Sequence, residues 1–118
     1  MSKVTVAWHG DTVKAAVRAA EQRAVDAASR AAAERARSNH PGWKDVTGRT
    51  SASIEAMPSE RTADGVRGLV GSSLPHFIFL EIGHHGRKGD RTLRRAATIE
   101  AATIGARVRD ALPADYRR

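Results

Sequence analysis

The chain has 118 residues, which suits one compact domain with a real but not generous core. It has no cysteine, so disulfides, thiolate metal sites and a cysteine nucleophile are excluded. Lys and Arg number 20 against 13 Asp and Glu, a formal charge of +7. That balance invites a nucleic-acid reading, but arginines spread along a whole chain are also what an ordinary solvated surface carries.

The apolar fraction is 41%, much of it alanine, and aromatics make up only 4%. Burial energy scales with apolar area, so such a core predicts modest stability for the lone chain, with contacts between subunits supplying the rest. The longest strongly apolar run is Phe77-Ile78-Phe79-Leu80, far short of the roughly 20 residues of a membrane span. Met1 to Val6 lacks the apolar stretch of a signal peptide, so the protein is expected to stay in the compartment where it is made.

Residues Lys3 to Trp8 alternate Val4, Val6 and Trp8 against Thr5 and Ala7, a strand pattern of period two. Asp11, with Thr12 as second candidate, can cap a helix starting there. From Thr12 to about Arg37 the spacing predicts one long helix, with an apolar stripe of Val13, Ala16, Val17, Ala20, Ala24, Ala27, Ala28 and Ala31. Lys14, Arg18, Gln22, Asp26, Ser29 and Arg30 fall mainly on the other side. Asp26 with Arg30, and Glu34 with Arg37, have ion-pair spacing. Small side chains let another backbone approach closely.

Ser38 to Gly42 ends that helix at a Pro-Gly turn. Ser53 to Met57 reads as a strand, Pro58 to Gly65 as a polar turn and Val66 to Gly71 as a second strand, together an antiparallel hairpin. Leu74 to Ile82 is too short for periodicity to decide between strand and helical turn. Gly83 to Asp90 reads as a mobile, exposed loop. Arg91 to Leu112 reads as one helix, striped by Leu93, Ala97, Ala101, Ile104, Val108, Ala111 and Leu112, weakened at Gly105 and stopped by Pro113. A short polar tail completes the chain. The predicted fold is a single α+β domain over 1–118, a long N-terminal and a C-terminal helix packed on a small antiparallel sheet.

The candidate chemistry is thin. His84 and His85 point in different directions from one backbone and make a poor ligand pair. Glu81 with either of them on a helical turn is the remaining metal arrangement. The serines sit in no Gly-x-Ser-x-Gly elbow, and Gly86-Arg87-Lys88-Gly89 lacks the spacing of a phosphate loop. Neither catalysis nor a cofactor is therefore expected. The densest positive cluster is His84, His85, Arg87, Lys88 and Arg91, followed by Arg94 and Arg95. It suits an acidic protein surface or DNA phosphates, although no helix-turn-helix or stacking ribbon accompanies it.

Four short runs resemble a known phage family. Thr47-Gly48-Arg49-Thr50-Ser51-Ala52-Ser53-Ile54 is similar to its T-G-x-L-x-x-S-I opening, with Thr50 in place of leucine. Val70-Gly71-Ser72-Ser73 resembles the strand after its hairpin. Phe77 to Gly83, containing Glu81, resembles Y-A-x-x-x-E-x-G, although Phe77 replaces tyrosine and His84 replaces the usual threonine after Gly83. Leu93-Arg94-Arg95-Ala96 fills the slot of f-L-r-p-A, without its proline. The runs together resemble the head–tail joining, or tail-completion, proteins of long-tailed phages.

The resemblance implies a non-catalytic virion subunit of the neck, assembled in the host cytoplasm, that forms a ring with copies of itself. It would contact other neck, portal-adaptor or tail-tube proteins, make at most a passing contact with packaged DNA, and involve no membrane. The alanine stripe, an exposed sheet edge and the Gly83–Asp90 loop are the expected contact surfaces of a head-to-tail ring. A basic DNA-binding protein of phage or bacterial origin is the alternative.

Overall fold

The computed structural model describes residues 10–45, 47–84 and 86–114, and for Gly10, Asp11, Thr12, His84 and Arg87 the backbone alone. The Lys3–Trp8 strand, His85 and the tail beyond residue 114 lie outside the described residues. The fold is α+β. In order it contains α1 (Gly10–Ser38), α2 (Arg49–Ala52), β1 (Ile54–Arg61), β2 (Val66–Ser72) and α3 (Phe77–Ile82). These are followed by β3 (Gly83–His84), β4 (Arg87–Lys88), α4 (Thr92–Ala101) and α5 (Ile104–Ala111).

Helix α1 is the centre of the molecule. The β1–β2 ribbon packs on one flank and α4 with α5 on another. Alanines on several faces allow this, because each flank lets a backbone come close. Ala20, Ala24, Ala28, Ala32, Ala33 and Ala36 are buried, with Val25 and Ser29. The predicted stripe thus drifts: Ala27 and Ala31 are only half-buried, and Ser29 lies inside because it faces the ribbon. The chain's own elements cover this stripe from Ala20 to Ala36, so it is not an open contact surface. Among the described residues α1 runs from Gly10, so Asp11 and Thr12 lie within the helix and not before it.

The ribbon is antiparallel, with Ile54 opposite Ser72 and Met57 opposite Leu69. Strand β1 runs on through Pro58 to Arg61, where a turn was expected. A register irregularity between Met57 and Glu60 accommodates the missing proline N–H. Next to it the Ser59 N–H donates to Asp26 Oδ1 at 2.9 Å. Asp26 therefore serves the ribbon and not Arg30, whereas the expected Glu34–Arg37 pair forms at 3.0 Å. Gly68 is where β2 comes closest to α1: a Cβ there would fall on Ser29 Oγ and 2.9 Å from Val25 Cγ1.

The main core lies at the C-terminal half of α1, where Ala32, Ala33 and Ala36 meet Ile54, Phe77 and Ala96. Trp43, Val70, Leu80 and Leu93 close around it. The ambiguous Leu74–Ile82 run resolves as helix α3 because Phe77 turns inward. The expected single C-terminal helix is broken at Ala102–Thr103. Both the Thr103 N–H and its hydroxyl donate to the Glu100 carbonyl, at 3.0 and 2.7 Å, closing a tight turn that ends α4. The second piece stops at Leu112, held extended before Pro113.

Candidate docking face

Gly83 to Asp90 folds back as a tiny hairpin, with Gly83 opposite Lys88 and His84 opposite Arg87, where an open loop was expected. Gly83, at φ 97° and ψ 166°, ends α3 in a conformation open essentially to glycine alone. The chain then returns along α3: the Asp90 and Arg91 N–H groups donate to Leu80 O and Glu81 O at 2.7 and 3.0 Å. Arg91 itself is left-handed, at φ 53°.

Helix α4 starts immediately after, and its cap comes from α3. The Glu81 carboxylate accepts the Leu93 N–H at 2.7 Å and the Arg94 N–H at 3.1 Å. A carboxylate against the first turn of a helix satisfies free donors and complements the helix dipole. Both Glu81 carboxylate oxygens are therefore engaged by the α4 backbone. Among the described residues no group of three or more His, Asp or Glu is placed to hold a metal ion.

Asp90 organises the other side. It accepts the Gly42 N–H at 2.9 Å, the Thr92 hydroxyl, and Arg95 Nη2 at 2.7 Å. Thr92 in turn accepts Trp43 Nε1–H at 2.9 Å, and Trp43 stacks on His40 at 3.7 Å. Of the predicted basic cluster, Arg95 is thus neutralised within the fold. Lys88, Arg91 and Arg94 are exposed and form no salt bridge among the described residues.

Beside these cations α3 exposes apolar side chains. Ile78 is 53% exposed, Phe79 46% and Ile82 60%, while Phe77 on the opposite face is buried. Such a patch rimmed by charge is what a protein contact surface looks like. The cations were visible in the sequence. The apolar half was not, because the strand-or-helix ambiguity of residues 74–82 hid which side chains point outward.

The resemblance-bearing residues take scaffold positions. Gly48 turns into α2 at φ 78°, where Asp45 caps the Ser51 N–H at 2.7 Å. Hydrogen bonding to Ser51 and Thr50 outweighs partial burial and holds the Asp45 carboxyl below its ordinary range. Ser53 and Ser72 share a 2.6 Å hydrogen bond across the ribbon, one residue from buried Ile54 and from Gly71, which faces Met57. Leu93 and Ala96 pack into the core. Thr47 Oγ1 accepts the Arg49 N–H at 3.3 Å.

No protein-family model, curated protein or solved structure matches this chain. No helix among the described residues is long and apolar enough to cross a membrane.

Proposed function

We propose that the protein is a structural subunit of the phage neck, completing the tail or joining it to the head by assembling in a ring and docking on the neighbouring neck component. The observation that carries this reading is the α3 face: Ile78, Phe79 and Ile82 exposed beside Lys88, Arg91 and Arg94, which form no salt bridge among the described residues. Its partner surface would be apolar with a rim of carboxylates. The resembling runs support the reading in a second way, since their residues fix how α2, the ribbon, α3 and α4 meet. A family resemblance resting on scaffold positions suits a protein whose work is to present a surface.

The test is replacement of Ile78 and Ile82 by aspartate in the virus that encodes the protein. Full heads and full tails should accumulate unjoined, with the variant protein itself soluble and folded. Normal yields of joined particles would contradict the docking role. The alternative, binding of DNA, is favoured by the exposed cations alone. It would appear as duplex binding that weakens steeply with added salt and survives both aspartate substitutions.

A further inference from the structure

The turn after α1 and the end of α3 flank an open cleft of about 410 Å³. Pro41 to Lys44 form one wall, and Phe79, Leu80 and Lys88 the other. Asp90 ties the two together. It accepts the Gly42 N–H at 2.9 Å, and its own N–H donates to Leu80 O at 2.7 Å. A Cβ on Gly42 would fall 2.6 Å from Asp90 Oδ1, so this approach favours glycine. Trp43 is pinned by its N–H on Thr92 and by the stacked His40 ring. The cleft is thus built by the monomer's own hydrogen bonds, and a ligand need not order it.

The cleft combines apolar walls with two cations. Phe79 is 46% exposed, and Pro41 is exposed as well. Lys44 and Lys88 are exposed and form no salt bridge among the described residues. The one carboxylate among the described lining residues, Asp90, is 7% exposed and already accepts Gly42, Thr92 and Arg95. We infer that the cleft takes an acidic segment of the partner protein, with one apolar side chain between Trp43 and Phe79 and a neighbouring carboxylate between Lys44 and Lys88. This deepens the docking reading above and rests on it, since the cleft shares Phe79 and Lys88 with the α3 face. An apolar anchor in a pocket with charge at its rim is how tight protein contacts are built. Charge disfavours a second copy as occupant, because the chain carries a formal +7. Nucleic acid fits less well too. His40 covers one face of Trp43, which makes it a poor platform for a stacked base, and two lysines suit one carboxylate better than a run of phosphates.

The test follows the Trp43 indole N–H by NMR in the full-length protein. The probes are two synthetic peptides, acetyl-Asp-Leu-Glu-Phe-amide and acetyl-Lys-Leu-Lys-Phe-amide. The acidic peptide should shift the resonance and the basic one should not. Lys44→Glu should raise the acidic peptide needed at least tenfold with an unchanged melting midpoint, and Lys44→Arg should bind as the native protein does. No shift by about 5 mM acidic peptide, an equal response to both peptides, or a response indifferent to Lys44→Glu overturns the inference. So does a short oligothymidylate that displaces the acidic peptide, which would assign the cleft to nucleic acid. Lys44 lies outside the α3 face, so the virus separates the two readings. Lys44→Glu should cut joined particles at least tenfold, with suppressors that turn an acidic residue of another virion protein basic. If the Lys44→Glu virus joins normally while the Ile78→Asp/Ile82→Asp virus does not, the docking face stands and the cleft falls. If both join normally, both fall.

Discussion

Arg91 is the one described non-glycine residue with a positive φ, and it carries one of the three exposed cations of the proposed docking face that form no salt bridge among the described residues. A left-handed conformation costs an L-residue about 1–2 kcal/mol, which glycine avoids. Arg91→Gly should leave the melting midpoint unchanged or higher, while reducing joining of heads to tails. A clear loss of thermal stability would mean that the arginine side chain supports the fold instead.

Glu100 is the opposite case, a buried charge devoted to structure. Its side chain is 8% exposed and accepts Arg35 Nε and Nη2 at 3.0 Å and Arg107 Nη2 at 3.2 Å. The Arg35 hydrogen bonds, helped by Arg107 and opposed by burial, hold its carboxyl below the ordinary value of 4.5. A depressed folded value means that the contribution is complete above the unfolded value and fades as pH falls towards the folded one. The melting midpoint should therefore decline as pH drops below about 4.5. Glu100→Gln should cost about 1–3 kcal/mol at neutral pH and flatten that acid limb. Asp45, shifted in the same direction, leaves some slope in the variant. Parallel acid limbs for the two proteins would contradict the assignment.

At the level of elements, the ribbon is positioned by one close approach to α1. Gly68→Ala would place a methyl on Ser29 and Val25, and overpacking of that kind costs about 1–3 kcal/mol. Denaturant unfolding should show the loss, and Gly65→Ala, where a Cβ meets open space, is the control. An equal effect at both positions would remove the close-approach argument.

The long helix, the hairpin and the stop at Pro113 were legible in the sequence, because each rests on local spacing or on proline chemistry. Which face of α1 is buried was not: alanines occur on several of its faces, so periodicity gave a stripe but not its angle. The break at Thr103 and the capping of α4 by Glu81 were equally hidden. A threonine turning onto its own helix leaves no pattern, and a cap supplied from 12 residues upstream has no local signature. The docking face was half legible, its cations from composition and its apolar side only from the fold.

On the scale of the whole molecule, one helix holds a ribbon on one flank and two short helices on another, with a charged, partly apolar face left over. In our account the α3 face is the surface that meets another chain. Salt should weaken the proposed α3 contact, since Lys88, Arg91 and Arg94 beside it are exposed and form no salt bridge among the described residues.

Sedimentation of the full-length chain over a concentration series addresses self-assembly directly. The account predicts a mass that rises from the 12.7 kDa of one chain to a fixed multiple and then stays there, as closed rings require. A mass that remains at one chain throughout, or grows without limit, would contradict it.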